Sequence, residues 1–224
     1  QFQNFSKFNN NAKQRNYSSI SQLISDNTHG QIWGFTPNNI LCCYDLEAAR
    51  FSDYFDLDAT TTLLGNRYQS SKGVWISSVD FGVRFLYVKE GKMQSIDFTP
   101  QNGKLLDTHK LNIGEDGRNN IWIASDKGVN LITPDFKSRV ILKNKKIIVM
   151  TCDGSHIALL TDKGEAFLYN DHAQLIKHSQ LPSMLGFVGK SRASFFWQGW
   201  WYIFTQEETF AMDLKTGQFH KPAI

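Results

Sequence analysis

Four acidic side chains, Asp80, Asp97, Glu115 and Glu165, are those whose chemistry the surrounding sequence leaves open. Two carboxylates facing one cavity would supply the acid and its partner for glycoside hydrolysis. Nothing in the spacing of these four pairs them across a common funnel. The other candidate acids, Asp26, Asp116, Asp126, Asp153 and Asp162, sit beside Gly and Asn in short polar turns, where turn chemistry explains them. The six histidines, His29, His109, His156, His172, His178 and His220, form no H-x-x-x-H or H-E-x-x-H pattern. No metal site is therefore expected. Gly189-Lys190-Ser191 lacks the upstream glycine of a phosphate loop, and no G-x-S-x-G elbow occurs. Of three cysteines, Cys42 and Cys43 are adjacent and should point to opposite faces of a strand as small buried hydrophobes. The expectation is no catalytic residue, no metal and no cofactor.

Recognition chemistry has one candidate, the aromatic run Phe195 to Tyr202. Trp200 sits where a strand turn is expected and offers a flat apolar face. Gln198 offers a donor and an acceptor, and a sugar ring needs both kinds of contact. Trp200 and Gln198 are thus the expected ligand-binding pair, with an oligosaccharide as the ligand. The competing reading places Trp200 in the core or over the face of the last unit.

The elements that must position these residues repeat. QIWGFT from Gln31, GVWISS from Gly73, NIWIAS from Asn120, HIALLT from His156 and WWYIFT from Trp200 share one pattern. Their central residues are Trp33, Trp75, Trp122, Ala158 and Tyr202, spaced by 42, 47, 36 and 44 residues. Three positions further on stands a hydroxyl each time: Thr36, Ser78, Ser125, Thr161 and Thr205. A period of about 40–50 residues with four strands is that of a propeller blade. Polar turns precede each core strand, and Asp126-Lys127-Gly128 and Asp162-Lys163-Gly164 follow two of them as short hairpins. Gly128 and Gly164 can take the positive φ that such turns demand. The recurring Trp column reads as structural, filling the room between wedge-shaped neighbouring sheets.

The fold expected is an all-β propeller of four-stranded antiparallel blades, about five of them, within a larger propeller. The blades should lie near 20–58, 63–107, 109–145, 146–181 and 184–224, in one domain over 1–224. Residues 1–10 would be an outer strand of a preceding or closing blade.

The units from Ile20, Lys72, Asp116 and Asp153 resemble the two-component regulator propeller repeat, and Asp116-Gly-Arg-Asn-Asn-Ile-Trp-Ile-Ala-Ser-Asp-Lys-Gly128 is the closest copy. Several units lack the glycine before Ser or Thr, and the fourth lacks Trp. Such repeats are similar to those in the extracytoplasmic sensor region of Bacteroides-type hybrid two-component histidine kinases. The resemblance implies a periplasmic, ligand-sensing segment of a membrane-bound receptor, whose partners are the remaining blades and domains of that receptor and a second copy of it. The rival functions are a five-bladed carbohydrate-active enzyme and a structural scaffold.

Composition narrows the partners. A net charge of +3 argues for no nucleic acid, and the cluster Lys143, Lys145, Lys146 reads as a solvated turn. No run reaches the ~18 apolar residues of a membrane span, so direct insertion by this segment is not expected.

Overall fold

Alternating apolar residues on short strands, separated by Gly, Asn and Asp turns, fold into a stack of sheets. The computed structural model describes residues 22–26, 30–35, 40–56, 64–90, 92–183, 193–205 and 208–222. Five four-stranded sheets account for its strands. The first holds β1 (Gln22–Asp26), β2 (Gln31–Phe35), β3 (Ile40–Asp45) and β4 (Arg50–Asp56). The second holds β5 (Leu64–Ser70), β6 (Gly73–Ser78), β7 (Gly82–Lys89) and β8 (Lys92–Phe98). The third holds β9 (Asn112–Glu115), β10 (Ile121–Ser125), β11 (Gly128–Ile132) and β12 (Ser138–Lys143). The fourth holds β13 (Ile147–Cys152), β14 (His156–Thr161), β15 (Glu165–Asn170) and β16 (Leu175–Gln180). The fifth holds β17 (Ala193–Trp197), β18 (Trp200–Phe204), β19 (Thr209–Asp213) and β20 (Phe219–His220). Each sheet is an antiparallel meander in chain order, which is the blade of a β-propeller. Residues 1–10, His29 and Thr36 lie outside the described residues.

The inner strands contact one another in series, β1 with β5, β5 with β9, β9 with β13 and β13 with β17. No contact of similar extent joins the fifth sheet to the first among the described residues. Each sheet therefore has an outgoing face toward the following sheet and an incoming face toward the preceding one. Four cores lie between the sheets. Trp33, Phe35, Leu41 and Cys43 pack on Val74, Ile76 and Leu86. Trp75, Val83 and Phe85 pack on Ile121, Ile123 and Ile132. Trp122, Ala124, Val129 and Leu131 pack on Ile157, Leu159, Phe167 and Tyr169. Ala158, Leu160, Ala166 and Leu168 pack on Trp201, Ile203, Phe210 and Met212. Cys43 thus lies on the outgoing face beneath Trp33, while Cys42 takes the other face, its thiol donating to the Gly34 carbonyl at 3.4 Å.

The fourth interface differs from the first three. Its outgoing residue is Ala158, and the large ring comes from the opposite side, from Trp201. The central residue of WWYIFT, Tyr202, holds the outgoing position and is half-buried, while Trp201 is fully buried. Adjacent residues of a strand face opposite ways, so a Trp doublet places one ring on each face.

The hydroxyl column closes the turn between the second and third strands. Ser125 Oγ donates to the Gly128 carbonyl at 3.1 Å and accepts from Lys127 N at 3.2 Å. Thr205 Oγ1 donates to the Glu208 carbonyl at 3.0 Å and accepts from Glu208 N at 2.9 Å. Thr161 Oγ1 accepts from Glu165 N, and Ser78 Oγ from Asp80 N. Gly128 follows such a turn with φ +140, and a Cβ there would meet the Leu142 carbonyl oxygen at 2.1 Å. Gly164 also sits at positive φ, +82.

Candidate functional site

One end of the stack carries the hairpins between first and second strands together with those between third and fourth. The hairpin from β9 to β10 is built around Asp116. Its carboxylate is buried and accepts from Arg118 N and Asn120 N, both at 3.0 Å, from Asn120 Nδ2, and from Trp122 Nε1 at 2.8 Å. One side chain thereby fixes the turn and the indole of the blade core together. Two other buried indoles, those of Trp75 and Trp201, are pinned through hydroxyls, whereas Trp33 Nε1 is buried without a hydrogen-bond acceptor among the described residues. Trp75 Nε1 donates to Ser70 Oγ and Trp201 Nε1 to Thr151 Oγ1, both at 3.0 Å. In the next hairpin, Asp153 accepts from Ser155 N at 3.0 Å and His156 N at 2.7 Å. Gly117 N donates to the Gly154 carbonyl at 2.5 Å, so consecutive turns touch through backbone. A Cβ on Gly117 would lie 2.8 Å from that oxygen.

A second contact recurs between neighbouring blades at this end. Lys72 Nζ, from one inner hairpin, donates to the Pro134 carbonyl in the outer hairpin of the next blade at 2.8 Å. Arg118 repeats the move one blade on and lies 3.0 and 3.2 Å from the two ring nitrogens of His172. Glu115 accepts from Ser71 N and from Ser71 Oγ, the latter at 2.9 Å. His156 lies beside the Phe196 ring, 5.8 Å between centroids. Arg118, His172, Asp153 and Gln198 are exposed here, on three consecutive blades. The arrangement offers a guanidinium donor, an imidazole, a carboxylate acceptor, an amide and an aromatic edge, a set suited to a polyhydroxylated ligand.

The four acids left open by the sequence are all engaged and are spread over three sheets, Asp80 and Asp97 on the second, Glu115 on the third and Glu165 on the fourth. Arg84 donates to Asp97 through Nε at 2.6 Å and through Nη2 at 2.9 Å. Lys145 donates to Glu165 at 2.7 Å, which holds that carboxyl below the usual glutamate range. Glu115 is bound to Ser71, and Asp80 accepts from Ser78 Oγ. Lys145 of the Lys143, Lys145, Lys146 cluster thus serves an ion pair at the other end of the stack. Among the described residues, no cluster of His, Cys, Asp and Glu has metal-binding geometry, and no helix is long and apolar enough to cross a membrane.

Trp200 and Gln198 are not brought to one platform. Gln198 and Gly199 form the two-residue turn from β17 to β18, with φ +47 and +80, and Gln198 projects outward. Trp200 opens β18 on its outgoing side and meets His220 edge-on, 5.4 Å between centroids. It belongs to the blade face. Arg118 and His172 were not singled out in the sequence, since they meet through a contact 54 residues apart.

No family model matches the chain, and no curated protein matches it. Solved structures do. The extracellular domain of the putative hybrid two component system BT4673 from B. thetaiotaomicron is similar over 91% of this chain, at TM-score 0.62 and 17% identity. Apo AztD from Citrobacter koseri is similar over 90% of this chain and 70% of its own length, at TM-score 0.62 and 9% identity. PorZ, described as a surface component of the type-IX secretion system of Porphyromonas gingivalis, is similar over 90% of this chain, at TM-score 0.59 and 12% identity. The chain spans 29% of the length of the BT4673 structure and 28% of that of PorZ. At these identities the likeness establishes the propeller fold. It includes a distant, partial match to extracytoplasmic receptor domains of the two-component type.

Proposed function

We propose that this chain is the recognition propeller of an extracytoplasmic, membrane-bound two-component receptor, binding a carbohydrate-type ligand and passing the event to a kinase. The observation that carries the reading is the hairpin end. There, Arg118, His172, Asp153 and Gln198 stand exposed on consecutive blades above turns that are rigidly pinned. A rigid rim with exposed polar groups is how loops on a stable scaffold recognise ligands. The likeness to the BT4673 extracellular domain supports the receptor setting and an extracytoplasmic location, which we take to be periplasmic. A ligand that binds one arrangement of the receptor better than another would shift it between signalling states. A dimeric receptor suits that output.

In this reading the chain catalyses nothing itself. Support comes from the use made of Asp97 and Glu165, each held by a cation, and of Asp116, held by turn N–H groups and a Trp indole, instead of facing another acid. Of the expected ligand pair, Gln198 stays at the rim and Trp200 passes to the blade face. Calorimetric titration with a panel of oligosaccharides tests the proposal. Saturable binding weakened by Arg118→Ala and His172→Ala is expected. Binding that survives both substitutions would move recognition elsewhere.

A further inference from the structure

The last blade is aromatic on the side where no neighbouring sheet stands among the described residues. Strand alternation puts Phe195 and Trp197 of β17 on the outgoing face with Trp200, Tyr202 and Phe204 of β18. Phe195 stacks on Tyr202 at 5.5 Å and on Phe204 at 5.4 Å, and Trp197 lies 6.3 Å from Tyr202. This sheet of rings is open to solvent: Phe195 is 46% exposed and Trp197 56%. A contiguous exposed apolar surface of this kind marks an interaction site.

The first three blades, whose outgoing faces also carry a large ring, say what such a face receives. Trp33, Trp75 and Trp122 stand where Tyr202 stands, and each is at most 2% exposed because the incoming face of the next blade covers it. The covering residues on the next blade's second strand are aliphatic: Val74 and Ile76, then Ile121 and Ile123, then Ile157 and Leu159. We infer that the Phe195, Trp197, Tyr202, Phe204 face is the docking surface for the incoming face of a sixth four-stranded blade of the same polypeptide, with branched aliphatic residues on its second strand. A second copy docking through its first blade is disfavoured. The incoming positions of that blade, Gly34 and Cys42, are already buried. The inference is independent of what the hairpin end binds.

A labelling experiment decides it. Phe195→Cys and, separately, Trp197→Cys are made in the intact native polypeptide and in residues 1–224 alone, and reaction with a maleimide is timed. The wild-type protein, whose Cys42 and Cys43 are buried, gives the background rate. Both sites should react at least about tenfold more slowly in the intact polypeptide, independently of protein concentration, as protection by a packed neighbour requires. Equal rates in the two would overturn the inference. So would protection that grows with protein concentration, which would assign the face to a second copy. Protection that appears only on adding oligosaccharide would assign it to ligand stacking and overturn the inference as well. Melting temperatures of the two 1–224 variants should stay at the wild-type value, since the substituted rings are the exposed ones.

Discussion

Asp116 shows how one side chain can look like chemistry and be architecture. Its carboxylate takes the indole of Trp122, the amide of Asn120 and two turn N–H groups, all in a buried site. Asp116→Ala leaves these donors without an acceptor, and a loss of about 2–4 kcal/mol is expected in urea unfolding. Asp153, exposed and capping only its own turn, should cost less than about 1 kcal/mol on the same substitution. Glu165 adds a pH dependence. The Lys145 hydrogen bond lowers its folded pKa, so its contribution is present above the unfolded glutamate value and is lost as pH falls through the folded one. Urea midpoints measured from neutral pH into the acid range should therefore fall, and Glu165→Gln should flatten part of that fall. The partly buried Cys152 thiol behaves oppositely. Burial, then the nearby Asp116 and Asp153, push its pKa up to about 12, so it should stay unreactive toward maleimide in the folded protein at neutral pH.

Among the elements, the second strand of each blade carries most of the information, and it was largely legible. The hydroxyl column recurs because the same atom closes the same turn, as Ser125 and Thr205 show. The Trp column recurs because the outgoing face of each sheet leaves a large volume to fill. What the alignment did not give was Trp201. Counting from Thr205 puts Tyr202 in the column and treats its neighbour as incidental, yet the small Ala158 one blade earlier leaves room for a ring from the other side. The hairpin rim was hidden for a different reason. Arg118 and His172 meet only once two blades are stacked, and no local pattern encodes that. The exchanged ring gives a coupled prediction. Trp201→Ala should cost about 3–5 kcal/mol by cavity formation. Ala158→Leu alone should overpack and cost about 1–3 kcal/mol. In the Trp201→Ala background it should cost less, since it enters the space just vacated, and a double-mutant cycle would show the coupling. Additive effects would mean that the two residues do not share one volume.

Across the described residues, five blades stack through four cores, and in three of these a buried indole donates to a polar acceptor at the hairpin end. In the proposed function, the exposed rim of Arg118, His172, Asp153 and Gln198 is the surface that discriminates ligands, while Asp97, Asp116 and Glu165 are tied into turns and ion pairs. Recognition without turnover is the central claim, and one titration tests it directly. The protein is titrated calorimetrically with an oligosaccharide panel, and each mixture is then chromatographed for cleavage products. The account predicts saturable heat with one or more members, lost in Arg118→Ala and His172→Ala, and every oligosaccharide recovered intact. Products that accumulate with time and vanish on substituting a single Asp or Glu would contradict it.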